Sequence, residues 1–253
     1  MTTTLTPERF AGRTLIVTGA GSGIGRATTV RLIAEGGRVI AADVSEPRLQ
    51  DLSRELATDR LVAVVGDITL ADDVERVVSA AAGRVDGLAN IAGIMDDFLP
   101  LAEVDDATWE RVMDVNLTSM MRLTRAVLPL MITAGRGSIV NISSEAGLRG
   151  SAAGVAYTTS KHAVVGLTRS TAFYYTPKGV RVNAIAPGGV KTNIVATFRS
   201  PWATERLGPF LQVNVPPSAQ ADELAAAITW LLSDDASNVS GAIIPVDGGW
   251  AAV

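Results

Sequence analysis

The stretch Thr14–Ala27, "TLIVTGAGSGIGRA", carries the chain from a five-residue apolar run through a glycine-rich turn into a helical pattern. The run "TLIVT" is apolar on both faces, as a strand buried from both sides must be. The segment that follows has apolar residues at Ile24, Ala27, Val30, Leu32 and Ile33 and stops at Gly36 and Gly37, as a helix does. Gly19, Gly21, Gly23 and Gly25 sit at the junction. Glycines there permit a tight turn and let backbone N–H groups and the helix N-terminus come close to a pyrophosphate. The spacing of Gly19, Gly23 and Gly25 is G-x-x-x-G-x-G, not the G-x-G-x-x-G of other dinucleotide folds. A glycine-rich turn alone is weak evidence, so its surroundings must decide.

The same alternation runs through the chain. After "TLIVT" come "RVIAAD", "LVAVVGD", "LANIAG", "SIVNIS", "RVNAIA" and "AIIPVDGG", about seven apolar runs, separated by longer segments of helical period. Helices are expected at roughly 72 to 83, 105 to 133, 155 to 175 and 220 to 232, the long one starting near an Asp cap and carrying Pro129 near its end. This pattern predicts an α/β fold, doubly wound, with a mostly parallel seven-stranded sheet and helices on both faces. With 253 residues, 47% of them hydrophobic, one domain over 1–253 is expected. The irregular stretch 193–218 holds Phe198, Trp202 and Phe210, and five prolines fall between Pro187 and Pro217; it reads as a substrate lid.

Composition removes several classes. Net charge is −4, with no basic block, so nucleic acid is not an expected partner. No apolar run reaches the ~18 residues of a membrane span and the start lacks a signal pattern, so no membrane partner and a cytoplasmic location are expected. Without cysteine and with His162 as the lone histidine, no protein metal site is expected. His162, about 100° round a helix from Lys161, reads as structural or interfacial.

Eighteen residues beyond Gly25 the second run ends at Asp43, where a carboxylate can accept hydrogen bonds from an adenosine ribose. The competing reading is a carboxylate capping the next helix, a task Ser45 could also perform. A 2′-phosphate beside Asp43 would meet like charge, and Ser22 and Val44 supply no compensating cation. The cofactor expected is therefore NAD, with Arg38 and Arg48 the residues that could rescue NADP. In "VAYTTSKHAV", Val155 to Val164, Tyr157 and Lys161 fall at i and i+4, one face of a helix and about 6 Å apart at Cβ. Alone, that pair is also what a solvated helix face looks like.

Taken in order, "TGAGSGIG", "NIAG" (Asn90 to Gly93), "VNL" (Val115 to Leu117), "NISS" (Asn141 to Ser144), "YTTSK" (Tyr157 to Lys161) and "PGGVKT" (Pro187 to Thr192) give the chain its resemblance to the short-chain dehydrogenase/reductase family. The resemblance runs from about Phe10 to the "VDGG" ending at Gly249 and implies a Rossmann fold. It implies Tyr157 as general acid/base, Lys161 as the ammonium that favours the phenolate and holds the nicotinamide ribose, and Ser144 as the hydroxyl on the substrate oxygen. Ser143 is set aside because adjacent side chains leaving a strand point opposite ways. Asn116, a mediocre helix former, is implied to sit in a local distortion serving a proton relay through Lys161. Cofactor contacts are implied for Gly19, Ser22, Gly23, Ile24 and Gly25 at the turn, and for Asp43, Val44, Asp67 and Ile68 after the next two strands. Asn90, Ala92 and Gly93 are implied to wall the riboses, and Pro187, Gly188, Val190 and Thr192 to orient the nicotinamide.

The activity implied is NAD(H)-dependent interconversion of a secondary alcohol and a ketone. The alternatives are a 3-ketoacyl-carrier-protein reductase-like enzyme and a dinucleotide-binding regulator without turnover. Asp43 speaks against the former, and the intact Ser144, Tyr157 and Lys161 set against the latter. Related epimerases carry a further C-terminal domain, for which about five residues after the last strand leave no room. Substrate contacts are expected from Met95, Phe98, Ile194, Val195, Phe198, Trp202 and Phe210, an apolar set, with Arg149 and Arg199 leaving scope for an anionic group. Glu145 could enter the pocket or stay solvated. A homotetramer is implied, built on the helices at 105–133 and 155–175, the first rich in Met120, Met121, Leu123, Val127 and Leu128.

Overall fold

The computed structural model describes residues 4–194 and 197–253. The seven apolar runs become β1 (Thr14–Thr18), β2 (Arg38–Asp43), β3 (Leu61–Val65), β4 (Gly87–Asn90), β5 (Gly137–Ile142), β6 (Val180–Pro187) and β7 (Ile243–Val246). They form one sheet in the order β3-β2-β1-β4-β5-β6-β7, every neighbouring pair parallel. Parallel neighbours need crossovers, and these are supplied by α1 (Gly23–Ala34), α2 (Glu46–Leu56), α3 (Ala71–Ser79), α4 (Asp106–Met113), α5 (Ser119–Ala134), α6 (Val155–Tyr175), α7 (Pro201–Asn214) and α8 (Ala221–Leu232).

Alternation along each strand divides the core between the two sheet faces. Leu15, Val17, Val39 and Ala41 pack with Leu32, Leu49, Leu224 and Ile228 of α1, α2 and α8. Ile16, Ile40, Leu88 and Ile139 face Val74, Val77, Leu123, Val127 and Met131 of α3 and α5. Burial on both faces is what makes these strands near-continuous apolar runs. Chain order reverses between β1 and β4, and the carboxyl ends of the strands on either side of this switch point frame the crevice where such sheets bind ligands.

Two local features bear on the site. The long helix expected at 105–133 begins at Asp105, whose side chain accepts from the Thr108 N–H at 2.7 Å. It is not one regular α-helix, because a π-helical turn, Asp114–Thr118, separates α4 from α5. The segment 193–218, expected to be irregular, instead contains α7. Ser200 caps it by accepting from the Ala203 N–H at 3.0 Å, and Pro201 fills the first helical position, where the missing N–H costs nothing. Pro209 is tolerated inside it. Val195 lies outside the described residues. Among the described residues, no helix is long and apolar enough to cross a membrane.

Candidate active site

The turn after β1 is shaped by close backbone contact. A side chain on Gly25 would place its Cβ 2.1 Å from the Gly19 carbonyl oxygen, and one on Gly19 would sit 3.1 Å from Ala92 Cα. Gly23 faces Thr192 in the same way, at 3.0 Å, so the turn and the segment after β6 enclose one space between them. Ser22 precedes α1 without making a side-chain cap, and the first turn of α1 holds no acid. The N-terminal N–H groups of α1 are thus left facing the crevice, as a phosphate requires. These features fit a nicotinamide dinucleotide.

Asp43 is buried at the end of β2 and accepts from the N–H groups of Gly21 and Ser45, both at 2.9 Å. Ser45 occupies the cap position of α2 but makes no side-chain cap bond, so Asp43 anchors the glycine turn to the start of α2. A Cβ on Gly21 would lie 2.9 Å from the Cβ of Arg48, which places Arg48 directly beside this corner. Arg38 lies at the opposite end of β2, where it donates to the Ala80 carbonyl, and cannot attend a group at Asp43. Val44 and Asp67 are exposed at the ends of β2 and β3, and Ile68 is buried beside them. Asn90 departs from expectation. Its side chain turns into the core, donating to Asn141 Oδ1 at 2.9 Å and Thr124 Oγ1 at 3.2 Å, so only Ile91, Ala92 and Gly93 of "NIAG" reach the crevice.

Beyond the turn opens a cavity of about 460 Å³, within the range of small-molecule sites. Gly19, Ser22, Gly23, Ile24 and Gly25 line one end, and Pro187, Gly188, Val190 and Thr192 its side. Ser144, Tyr157 and Lys161 stand between that end and an apolar chamber. Ser143 donates to the Lys161 carbonyl at 2.9 Å, leaving Ser144 as the hydroxyl within hydrogen-bonding reach of the Tyr157 phenol. Lys161, nearly fully buried, donates to the Ile142 carbonyl at 2.8 Å, and its Nζ is 5.4 Å from the Tyr157 ring centre. Asn116 lies in the π-helical turn; its side chain accepts from the Ile94 N–H at 2.8 Å and donates to the Ile94 carbonyl at 3.0 Å. It thereby fixes the strand-end loop beside Lys161.

The expected lowering of the Tyr157 phenol rests on Lys161 together with the positive nicotinamide ring; in the chain alone, burial dominates. Burial pushes Tyr157 up to about 12, against the pull of the Ser144 hydrogen bond and with a further push from Asp96. Burial also brings Lys161 down to about 8. Desolvation is the largest cause for both groups, and the Lys161 ammonium is already bound to a carbonyl.

Asp96 adjoins the site and was not singled out by sequence reading. Nearly fully buried, it accepts from the Tyr157 N–H at 2.9 Å and from the N–H groups of Gly154 and Phe98 at 3.2 Å. The start of α6 is Gly154, which has no side chain to cap with, so an acceptor had to come from elsewhere in the chain. That need is legible in the sequence; the identity of the donor loop is not.

The apolar chamber is lined by Met95, Phe98, Ile194, Leu211, Val215 and Trp250. Four expected substrate residues are corrected. Phe198 stacks on Phe98 at 4.1 Å and supports it from behind; Trp202 is 56% exposed on α7 and faces solvent. Glu145 is neither in the chamber nor solvated: its side chain is fully buried against Arg149 at 3.0 Å. Phe210 likewise stays outside the lining, whereas Leu211, one residue on, enters it. Trp250 was missed because only the fold of the segment after β7 brings it there.

The family model for short chain dehydrogenase matches residues 13–202. A 3beta-hydroxysteroid dehydrogenase 2 of Eggerthella lenta is 42% identical, over 96% of either chain. The crystal structure of levodione reductase superposes with a TM-score of 0.88 at 38% identity, covering 96% of this chain and 99% of its own. A protein of Beutenbergia cavernae described as an NAD(P)-dependent gluconate 5-dehydrogenase, with NADP bound at low occupancy, gives 0.87 at 37% identity, over 98% of this chain and all of that one.

Proposed function

The chain belongs to the short-chain dehydrogenase family, an oxidoreductase of that type, and we propose that it interconverts a secondary alcohol and a ketone with NAD(H). The observation that carries this reading is the placement of Ser144, Tyr157 and Lys161 together at the boundary between a phosphate-ready turn and an apolar chamber. A bound nicotinamide dinucleotide supplies hydride acceptance in one direction and hydride donation in the other. The protein's part is positioning and proton movement. Ser144 donates to the substrate oxygen, Tyr157 takes the proton of the alcohol or returns it to the ketone, and Lys161 holds positive charge beside the phenol. Gly19, Gly23, Gly25 and the N-terminus of α1 would hold the pyrophosphate, and Asp43 would hold the adenosine ribose. The reading extends to a homotetramer, for which the exposed Phe173 and Tyr174 at the end of α6 offer apolar surface.

NAD is proposed over NADP because a 2′-phosphate would lie against the Asp43 carboxylate, although Arg48 beside Gly21 softens that repulsion. Asp43→Ala should raise KM for NAD roughly tenfold or more and narrow the preference over NADP, since it removes both the ribose acceptor and the anchor of Gly21. Arg48→Ala should weaken NADP and leave NAD nearly unchanged. Steady-state kinetics with both cofactors check this; a wild-type preference for NADP would overturn it.

The chamber suits a cyclic or aromatic secondary alcohol better than a sugar or a phosphorylated metabolite. The names of two relatives, a hydroxysteroid dehydrogenase and levodione reductase, support that choice. The test is NADH formation across cyclic, aromatic, steroid-like, polyol and hydroxyacyl substrates, for wild type, Leu211→Ala and Trp202→Ala. Cyclic or steroid-like alcohols are expected to be best, Leu211→Ala to change selectivity among them, and Trp202→Ala to be silent. Polyols or hydroxyacyl thioesters ranking first would sink the apolar reading.

A further inference from the structure

One buried acid cluster next to the site has no part in the proton transfer described above. Glu145 follows Ser144 and opens a 3-10 turn, Glu145–Gly147. Its carboxyl lies within hydrogen-bonding reach of the carboxyl of Asp247, which follows β7. Neither Glu145 oxygen has a hydrogen-bond donor in good geometry among the described residues, although the Arg149 guanidinium approaches at 3.0 Å. Two carboxylates are acceptors only, so they can hydrogen-bond to one another only through a proton.

Asp247 is committed on its far side. It accepts from the Gly249 N–H at 2.9 Å and the Ala251 N–H at 2.6 Å, closing the turn Trp250–Ala252. Gly248 and Gly249 both adopt left-handed backbone there, with φ of 70° and 95°, which lets the chain reverse toward the cavity. The turn presents Trp250, only 6% exposed, as part of the chamber wall. Arg149 stands 5.8 Å from the indole ring and donates to the Val253 backbone oxygen at 2.7 Å. A continuous set of contacts therefore joins the residue after Ser144 to a wall of the substrate chamber.

We propose that Glu145 and Asp247, sharing one proton, are positioning residues that seat Trp250 as a wall selecting for bulky apolar substrates, and that ionisation of Glu145 loosens this wall. The substrate part rests on the function proposed above. With the proton in place the cluster holds one negative charge, on Asp247, and one positive, on Arg149. Without it, a buried negative charge on Glu145 and a half-buried one on Asp247 oppose a single cation. On α6, packed against the same turn, Lys161 is bound to the Ile142 carbonyl and His162 to the Thr158 carbonyl. Burial and the neighbouring Asp247 push Glu145 up to about 7. Burial also pushes Asp247 up, but the N–H groups of Gly249 and Ala251 outweigh it and hold Asp247 below its ordinary range, so the shared proton resides on Glu145. The folded state thus binds this proton more tightly than the unfolded chain, and the cluster's stability is lost as pH rises from the ordinary glutamate range through about 7.

The test separates the wall from the chemistry. Tryptophan emission of wild type minus that of Trp250→Phe, in protein without cofactor or substrate, is followed from about pH 5.5 to about pH 9. A one-proton transition near pH 7 is expected, and Glu145→Gln and Asp247→Asn should each remove it from this range. The KM of wild type for a bulky cyclic alcohol should rise by up to about tenfold per pH unit above the transition, and that of Glu145→Gln should stay level. A flat difference signal in wild type, or a transition that persists in both variants, overturns the proposal. A transition in a protein that turns over no alcohol supports the wall and overturns the function proposed above. Two substitutions at different ends of the pair guard against one of them failing to fold.

Discussion

Replacing Tyr157 with Phe is expected to lower turnover by about three orders of magnitude or more while leaving NADH affinity within roughly a factor of three. The ring stays, and with it the packing against the buried cluster of Phe98, Ala146, Ala153 and Ala203. What goes is the one hydroxyl that faces both Ser144 and the cavity. The expected glycine cradle at the other end is untouched. Single-turnover kinetics together with NADH fluorescence titration check the split. The charge balance sharpens the expectation. In the free protein burial holds the phenol at about 12, and the Asp96 carboxylate, bound to the Tyr157 backbone N–H, adds to that push. The phenol becomes a usable base only when positive charge enters the cavity beside Lys161. Wild-type alcohol oxidation should therefore titrate at lower pH than the phenol of the free protein, and Tyr157→Phe should lose that limb. Near wild-type turnover in Tyr157→Phe would remove the assignment.

The deep burial of Tyr157 and Lys161 marks where sequence reading ends. The strands were legible because the five central ones, β2, β1, β4, β5 and β6, are buried on both faces and so are apolar nearly throughout, while the edge strands β3 and β7 keep the apolar pattern though partly exposed. Asn116 was legible as a poor helix former in a helical pattern, and the π-helical turn is the form the distortion takes. Helix α7 was hidden by its prolines, which suggest a loop unless Ser200 is seen to cap the helix and Pro201 to begin it. The side chains of Asn90 and Glu145 were misplaced for a different reason. Each is polar, adjacent to a site residue and drawn away by partners distant in sequence: Asn141 and Thr124 for Asn90, Asp247 for Glu145. Asp96 and Trp250 escaped for the same reason in reverse, since they reach the site from loops whose paths depend on the completed fold.

Gly25→Ala should abolish measurable cofactor binding, weakening NADH by about a hundredfold or more, and should lower the melting temperature. The third helical residue of α1 needs no unusual dihedral there; the constraint is space. The new methyl would sit 2.1 Å from the Gly19 carbonyl oxygen and 2.6 Å from its carbon, so backbone must move against backbone. That movement can only push α1 away from the end of β1, and the N–H groups of its first turn would leave the pyrophosphate position together with Gly19. Gly166 provides the matching control. It lies on α6 away from the cavity, with nothing within 4 Å of a built Cβ, so Gly166→Ala should leave NADH binding unchanged. Thermal unfolding and NADH titration of the two variants side by side distinguish a cradle from a merely glycine-rich turn. If Gly25→Ala binds NADH within threefold of wild type, the close approach of α1 to β1 is not what holds the cofactor.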